Sequence, residues 1–520
     1  MRAALSSSTK KSLSRTAAYY AVRLRHYVMT GSPIAAYQAL QLRHADRLAF
    51  RTTMASPLMT LQSNRSLLDI DRDHLIHPVT SFRGHEAHGA LLLESGKGMW
   101  LKDMDGKELL DAFAGLWCVN VGYGQDSIAE VAAEQMRRLP YATGYFHFGS
   151  EPAVRLAQKL VDLSPEGLDH VYFTLGGSDA VDSAIRYITH YFNAIGKPEK
   201  KQCIALERGY HGSSTTGAGL TALANFHRGF DLPLRWQHHI ASPYPYRSDL
   251  EGDDAAIIAR SVQQLKDKVA ELGADNVAAF FCEPIQGSGG VIVPPVGWLK
   301  AMRQACDELD ILLVADEVIT AFGRTGPMFA CEAEDVTPDL MTVAKGLTAG
   351  YVPMGAVLMS DHIYQGIANG AAPEVVIGHG ATYSGHPVSA AVGLEVLRLY
   401  TEGGILANGQ KVAARFDAGM AGLMDHPMVG DTRGRGLLGA IELVTDKGSK
   451  ARFDPALKLA DRLFAKAYDN GVIFRAFADN IIGLAPALCA SDAEMDEIFA
   501  RIAKTLDDLL EEADIRAAVR

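Results

Sequence analysis

From residue 54 onward, the sequence alternates short, mostly apolar runs with amphipathic helical patterns, and this alternation is its strongest constraint on the fold. The runs of strand length are His170–Leu175, Val277–Cys282, Ile311–Ala315 and Leu340–Ala344. Continuous apolar runs are typical of strands that are buried on both faces. Strands that alternate with helices predict βαβ units and a mainly parallel sheet. Because ligands bind at the carboxyl ends of the strands in such sheets, the residues after each run are candidates for a functional site.

Length and composition exclude several classes of protein. A chain of 520 residues, with 48% apolar and 21% charged residues, is expected to form two or three globular lobes. The sequence contains no apolar run long enough to span a membrane, and its net charge of −11 argues against a nucleic-acid-binding protein. The six cysteines are scattered without a CxxC pair, so we expect no metal site, no disulfide framework and a cytoplasmic location.

The first 53 residues differ from the rest of the chain. They contain nine Lys or Arg residues and one acidic residue, Asp46, and they are rich in serine at the start. This basic extension has three interpretations: a transit peptide, which would direct the protein to mitochondria, a solvated basic arm, or translated upstream sequence before a start at Met54. The fold is therefore argued from residue 54 onward.

Four positions near the strand ends carry different chemistry. Gly177 and Ser178 lie at a helix N-terminus, where free N–H groups bind phosphate, although a plain capped turn has the same pattern. Asp316 follows the buried run 311–315. A carboxylate in this place either binds a cation or hydrogen-bond donors, or it caps a helix or turn. Lys345 either extends its ammonium to water or acts as an amine nucleophile with a lowered pKa. Tyr210 lies between glycines and either stacks on a flat ring or simply packs.

Taken together, the four positions predict a pocket for pyridoxal phosphate (PLP). PLP needs a lysine for its Schiff base, an acid at its pyridinium nitrogen and an anchor for its phosphate. The neighbouring His211, considered alone, is more typical of a structural histidine than of a catalytic one.

Longer motifs support this interpretation. The segments ILLVADEVITAFG (311–323) and TVAKG (342–346) closely resemble the class III aminotransferases of PLP fold type I. Within that family, the chain is most similar to the ω-amine:pyruvate branch through LDAFAGLWCVNVGYG (110–124), EPIQGSGGVIVPP (283–295) and HGATYSGHPVSA (379–390). The resemblance covers roughly residues 65–515. It implies a mainly parallel seven-stranded sheet in a large α/β domain, 110–375. It also implies a smaller α+β domain formed by residues 54–109 and 376–520.

The resemblance assigns roles in cofactor binding. Lys345 is implied to be the catalytic Schiff-base lysine, and Asp316 to be the partner of the pyridinium nitrogen. The other cofactor contacts that it implies are Gly177 and Ser178 at the phosphate, Val318 and Tyr210 on the two faces of the ring, and Thr382 from the neighbouring subunit. The contribution of Thr382 implies a homodimer, or a dimer of such dimers, with composite sites.

The resemblance also implies the substrate contacts. Arg475 matches a mobile arginine that binds the carboxylate of the keto acid bidentately. Trp117 and Tyr145 match positions in the pocket wall, where Tyr210 also lies. Glu283 either offers Arg475 an alternative partner or braces the active-site loop.

The predicted function is transfer of an amino group from an amine or ω-amino acid to pyruvate by a ping-pong mechanism. Rivals that share the fold are an aminomutase, a decarboxylating transaminase of dialkyl amino acids and a 2-oxoglutarate-dependent diamine aminotransferase. A non-catalytic binding protein is expected to have lost Lys345 or Asp316, and both are present. The motif GxGxxG at residues 434–439 follows no apolar strand, so a nicotinamide-binding fold is rejected.

Overall fold

The computed structural model describes residues 66–370, 372 and 375–520. The chain divides into two compact units, residues 1–91 and 92–520, and the first is described from residue 66. The predictions for the basic extension, residues 1–53, lie outside the described residues. The proposed division into a large and a small domain stays a prediction.

The helices are α1 (Leu67–His74), α2 (Phe82–His88), α3 (Ala114–Trp117), α4 (Asp126–Arg138), α5 (Glu151–Leu163), α6 (Gly177–Ala194), α7 (Thr215–Leu220), α8 (Ala224–His227), α9 (Asp254–Leu272), α10 (Trp298–Glu308), α11 (Asp361–Gly370), α12 (Pro387–Thr401), α13 (Ile405–Gly422), α14 (Leu459–Asp469), α15 (Asp492–Leu510) and α16 (Ala513–Ala518). The strands are β1 (Leu93–Lys97), β2 (Trp100–Asp103), β3 (Glu108–Asp111), β4 (Leu168–Thr174), β5 (Gln202–Leu206), β6 (Gln237–Ile240), β7 (Val277–Cys282), β8 (Leu312–Asp316), β9 (Leu340–Val343), β10 (Gly355–Ser360), β11 (Val429–Arg435), β12 (Leu438–Leu443), β13 (Val472–Ile473), β14 (Arg475–Phe477) and β15 (Ile481–Leu484).

The first unit contains the two short helices α1 and α2. Ser66 and Asp69 form a reciprocal capping box at the start of α1, which satisfies backbone donors that the first helical turn leaves free. The buried carboxylate of Asp71 lies 2.8 Å from Nε2 of His77 and 3.1 Å from Nε2 of His85. These contacts tie the two helices and their connection together.

The second unit is built around a seven-stranded sheet in the order β4-β10-β9-β8-β7-β5-β6. The pairs β9–β8, β8–β7, β7–β5 and β5–β6 are parallel, whereas β10 is antiparallel to β4 and β9. A mainly parallel seven-stranded sheet of fold type I is therefore confirmed. Its central strands are buried on both faces, which explains the continuous apolar runs in the sequence.

Two apolar cores cover the faces of this sheet. On one face, α6 packs Val181, Ile185 and Ile188 against strand residues such as Phe281 and Val314. On the other face, a larger core includes residues of α10 and α9, among them Trp298, Met302, Leu265 and Val269. Side chains alternate between the faces along each strand, so adjacent apolar residues belong to different cores.

Two smaller sheets lie in the same unit. One has the order β1-β2-β3-β13, so that residues 93–111 pair with the C-terminal part of the chain. The other has the order β11-β12-β15-β14. The GxGxxG segment forms the hairpin between β11 and β12, with Gly436 at φ +62°, which agrees with the rejection of a nicotinamide site.

Element boundaries differ from the predicted ones by one or two residues. The strand predicted as 170–175 spans Leu168–Thr174, and the strand predicted as 311–315 spans Leu312–Asp316, so Asp316 itself is the last strand residue. The strand β10 was not predicted, although it is buried. Among the described residues, no helix combines the length and apolar sequence that a membrane crossing requires.

Candidate active site

The cavity at the carboxyl edge of the large sheet brings most of the predicted site residues together. The end of β8, the end of β9, the N-terminus of α6 and the loop after β5 meet there. The lining residues are Gly177, Ser178, Tyr210, His211, Gly212, Glu283, Asp316, Val318, Ile319 and Lys345. Strand order places these elements side by side, which is why residues from 177 to 345 share one cavity.

The N-terminus of α6 forms one end of the cavity. The helix begins at Gly177 without a side-chain cap, so its first N–H groups are available to an anion. Ser178 Oγ accepts a hydrogen bond from Ser213 N at 3.0 Å. A Cβ added to Gly212, at φ +119°, would lie 2.8 Å from Ser178 Cα, so this close approach requires glycine. Together these residues form a cradle of suitable chemistry for a phosphate.

Asp316 is held at the centre of the cavity by a buried histidine. Its Oδ2 lies 2.9 Å from Nδ1 of His211, and its Oδ1 accepts a hydrogen bond from Val318 N at 3.1 Å. Burial lowers the pKa of His211, but the hydrogen bond and charge of Asp316 outweigh that effect and raise it. His211 is 1% exposed, and its Nε2 has no hydrogen-bond partner in the part of the chain that the structure describes. The pair therefore supplies a carboxylate that is held in a fixed orientation by an adjacent imidazole.

Glu283 braces the loop that carries Tyr210. Its Oε1 accepts a hydrogen bond from Tyr210 N at 2.9 Å, and its Oε2 accepts one from Gly287 N at 2.8 Å. Burial raises the pKa of Glu283 to about 7, with a further contribution from Asp316 and opposition from His211. Because both carboxylate oxygens bind the backbone, the geometry favours the bracing role over a pairing with Arg475.

Lys345 follows β9 directly and begins a single 3₁₀ turn, Lys345–Leu347. Its φ of +35° is strained for a residue with a side chain. Burial lowers the pKa of Lys345, although Cys118, Asp316 and Glu283 oppose the shift. A lowered pKa favours the neutral amine, which is the form that acts as a nucleophile or a base.

Arg475 is linked to Lys345 by a chain of aromatic contacts, although it does not itself line the cavity. Its Cζ lies 5.4 Å from the ring centroid of Phe477, which lies 6.4 Å from the indole of Trp117. Lys345 Nζ is 5.7 Å from the same indole. Arg475 is exposed, and it has no acidic partner among the described residues. An unpaired guanidinium linked to Lys345 in this way is suited to binding a carboxylate.

Tyr145 and Thr382 are not brought to this cavity. Tyr145 is 41% exposed, and its hydroxyl lies against Gly380, where an added Cβ would be 2.6 Å away. Thr382 is exposed, and its carbonyl accepts a hydrogen bond from Tyr141 Oη at 3.0 Å. Within one chain, these two residues therefore lie next to each other and outside the cavity lining.

The cavity fits PLP. The free N-terminus of α6 suits the phosphate, the Asp316 carboxylate suits a protonated ring nitrogen, and Lys345 supplies the amine. A Cβ added to Gly177 would lie 3.0 Å from Val318, so glycine allows these two lining residues to approach each other closely. Nothing in the lining contradicts the predicted contacts of Gly177, Ser178, Tyr210 or Val318.

Sequence reasoning missed the supporting residues. His211 was considered structural, yet it contacts Asp316, which lies 105 positions away. Phe477 was not singled out, although it links Arg475 to Trp117. The available signal was the position of His211 between glycines after a strand, whereas nothing local distinguished Phe477.

The chain was also compared with known proteins. The sequence profile of the family Aminotransferase class-III matches residues 82–506. A putrescine–pyruvate aminotransferase of Pseudomonas aeruginosa is 40% identical over 86% of this chain and 97% of its own length. A diaminobutyrate–2-oxoglutarate transaminase of Halomonas elongata is 37% identical over 88% of this chain and 100% of its own.

A solved structure agrees with these sequence relatives. The ω-transaminase from Pseudomonas jessenii in complex with PMP superposes with a TM-score of 0.84 at 36% identity, covering 87% of this chain and 100% of that one. The family match extends over most of the chain, and the sheet order and cavity belong to the same fold. The chain therefore belongs to the class III aminotransferases, the PLP-dependent transaminases of fold type I.

Proposed function

We propose that this transaminase moves an amino group from an amine or ω-amino acid to pyruvate by a ping-pong mechanism. The observation that carries the proposal is the unpaired guanidinium of Arg475, joined to Lys345 through Phe477 and Trp117. The substrate named for the relative at 40% identity, a putrescine–pyruvate aminotransferase, supports the same donor and acceptor classes.

The residues proposed to hold PLP are those that line the cavity. Gly177 and Ser178 bind its phosphate, Tyr210 and Val318 contact the two faces of its ring, and Asp316 binds the ring nitrogen. When bound, PLP supplies an aldehyde and an electron sink. His211 keeps Asp316 oriented through its 2.9 Å contact, so the carboxylate points in one direction.

Lys345 is proposed to carry the proton transfer. Because burial favours its neutral form, Nζ accepts a proton from the substrate carbon and later returns it at the cofactor. The indole of Trp117 closes one side of the space around Nζ and limits the size of the substrate group placed there.

Arg475 is proposed to serve only the keto-acid half of the reaction. Pyruvate carries a carboxylate, whereas an amine donor does not, so the same space must hold a charge in one half-reaction and none in the other. Arg475 meets this demand because no described acidic residue pairs with it, and its guanidinium, whose pKa is lowered by desolvation, gains a counter-ion when a carboxylate binds. Glu283 does not compete for it, since both its oxygens bind the backbone.

A dicarboxylic acceptor is the second candidate, since the Halomonas elongata relative is named for 2-oxoglutarate. Such an acceptor needs a second free cation near the cavity. Arg208 is engaged by Asp479 and by the carbonyl of Gly289. Arg433 is engaged by Asp431 and Glu442. Both nearby arginines are already paired, which favours pyruvate as the acceptor.

We propose a homodimer in which Thr382 and Tyr145 complete the site of the partner subunit. In one chain these residues lie outside the cavity, next to exposed apolar side chains at Phe146, Phe148 and Tyr383. Clustered exposed apolar groups are typical of an interface between subunits. A dimer of such dimers satisfies the same contacts. The cytoplasm stays the proposed location, supported by six unpaired cysteines.

The test is a half-reaction screen of the PLP-loaded protein. Putrescine, β-alanine, taurine and an aryl-alkyl amine are added singly, and loss of the cofactor's visible absorbance is recorded. Pyruvate is then expected to restore the absorbance faster than 2-oxoglutarate. Lys345→Ala is the control and is expected to show no bleaching, with no borohydride-fixed cofactor.

Other outcomes would contradict the proposal. Faster recovery with 2-oxoglutarate would favour the diamine transaminase. Turnover of an amino acid without any second substrate would indicate an aminomutase, and release of carbon dioxide would indicate a decarboxylating transaminase. Bleaching that survives Lys345→Ala would remove Lys345 from its role.

A further inference from the structure

The peptide that follows the catalytic lysine adopts an unusual conformation. Lys345 has φ +35°, and the preceding Ala344 has φ −160° and ψ −136°. A lysine adopts a positive φ only when its surroundings impose it. Within the turn, Leu347 N donates to Ala344 O at 2.8 Å, but the Gly346 carbonyl accepts only a long backbone bond, from Ala349 N at 3.3 Å. The orientation of the Gly346 peptide, next to Lys345, therefore depends on a donor from outside the turn.

The hydroxyl of Tyr400 meets this requirement. Tyr400 lies on α12, and its Oη donates a hydrogen bond to Gly346 O at 2.7 Å. The side chain is 1% exposed, so water does not replace this donor. A short bond from a buried donor fixes the orientation of the Gly346 carbonyl.

Two further residues enclose the same peptide. The ring of Phe322 stacks on Tyr400 with centroids 6.0 Å apart and planes at 13°. A Cβ added to Gly346 would lie 2.8 Å from Asn120 Nδ2 and 3.0 Å from Phe322 Cδ2. Asn120 and Phe322 therefore pack closely against one side of Gly346.

Arg324 anchors this enclosure. Its Nη2 donates to Asn120 Oδ1 at 2.7 Å, and its Nη1 donates to the carbonyls of Leu437 and Pro486 at 3.0 and 2.6 Å. Asn120 Nδ2 in turn donates to Phe322 O at 3.2 Å. Arg324 is fully buried, so these donors are used within the protein. The chain of contacts links Gly346 to segments far from it in sequence.

We propose that Tyr400 is a positioning residue for catalysis: its hydroxyl fixes the Gly346 carbonyl and so aims Lys345 Nζ into the cavity. This inference rests on the proposed role of Lys345. Tyr400 does not line the cavity, so it acts through the backbone and not through substrate.

The test compares Tyr400→Phe with Tyr351→Phe. Tyr351 is a matched control because its hydroxyl also donates to a glycine carbonyl, Gly122 O, at 2.8 Å, without contacting Gly346. For Tyr400→Phe, we expect kcat to fall about five- to tenfold at unchanged KM, the scale of one lost buried hydrogen bond. The pH at which the cofactor's visible absorbance changes by half is also expected to shift.

A second measurement needs no bound cofactor. Amide hydrogen exchange in the peptide that contains residues 344–349 is expected to be faster in Tyr400→Phe than in the wild type, and unchanged in Tyr351→Phe. If Tyr400→Phe does not fold, Phe322→Leu removes the ring that orients the hydroxyl. It is expected to give a smaller effect in the same direction.

Wild-type values of kcat, absorbance midpoint and exchange in Tyr400→Phe would overturn the inference, as would equal changes in Tyr351→Phe. Failure of the proposed function is recognised separately. In that case borohydride would not fix the cofactor on Lys345 in the wild type, whatever Tyr400→Phe does.

Discussion

The floor and the rim of the cavity differ in burial and in how their charged groups are paired. The floor, defined as Asp316, His211, Glu283 and Lys345, is built from strand ends and loops whose carboxylates are at most 4% exposed and bind groups on other elements. The rim, defined as Arg475, is exposed, and its guanidinium has no acidic partner among the described residues. Under the proposed function, the buried floor supplies the chemistry common to every substrate, whereas the exposed rim binds the carboxylate of one class of substrate.

The largest effect is expected from the floor. Asp316→Asn removes the charge that faces the ring nitrogen and leaves His211 buried without its carboxylate. We expect kcat to fall by about a hundredfold to a thousandfold, since losing one preorganised electrostatic group at the reacting centre costs about 2.7–4 kcal/mol of transition-state stabilisation. Single-turnover absorbance measurements check this.

Asp339→Asn is the control for that change. Asp339 is bound by Arg303 and by Leu313 N and lies before β9, away from Lys345. It is expected to lower the free energy of unfolding with kcat nearly intact. Equal losses of kcat in the two variants would contradict a catalytic role for Asp316.

The next effect concerns the rim. Arg475→Ala is expected to raise KM for pyruvate about tenfold to a hundredfold, because that is the loss of affinity when a charge-assisted pair of hydrogen bonds is removed. The amine half-reaction is expected to be unchanged. Arg435→Ala, on β11 of the same small sheet, is expected to change neither. An equal loss in both half-reactions of Arg475→Ala would place Arg475 in the structure of the site and not in carboxylate binding.

A smaller effect is expected from Thr382→Val. We expect PLP to bind about tenfold more weakly, because the variant loses one hydrogen bond to the phosphate. Binding of pyridoxal, which lacks the phosphate, is expected to be unchanged. Thr337→Val is the control, because Thr337 is bonded to Glu166 O elsewhere.

Mixed dimers sharpen this test. One subunit carries Thr382→Val and the other carries Lys345→Ala. If Thr382 serves the partner subunit, one site per dimer keeps wild-type affinity and activity. The absence of any wild-type site would show that Thr382 acts within its own chain.

The smallest effect is a stability difference in the cofactor-free protein. Burial lowers the pKa of Lys345 below its unfolded value, so stability is lost as the pH falls through the folded pKa and is fully present only above about 10.5. Apo Lys345→Met is therefore expected to melt a few degrees higher than the apo wild type at pH 7. The gap in Tm is expected to close toward pH 10.5, and a constant gap would contradict the titration of Lys345.

Much of the large sheet could be predicted because its strands are local features. Val277–Cys282 was predicted with its observed bounds, since a strand buried on both faces has an uninterrupted apolar sequence. The strand β10 was not predicted, because Gly355–Ser360 follows the glycine-rich turn after Lys345 without a helical pattern between them. Its antiparallel direction depends on pairing with β4 and β9, which no local pattern encodes.

The sequence by itself determined which chemical groups lie at the strand ends: an acid at the end of β8, an amine close after β9 and a glycine turn before α6. The order of residues along the chain is enough to place these groups, because a residue at the end of a buried strand lies at the edge of the sheet. Only the tertiary structure decided that His211 meets Asp316, that Glu283 binds Tyr210 N and that Tyr400 reaches Gly346 O. These partners lie 54 to 105 positions apart, and strand order and helix packing, not local propensity, set the distance between them.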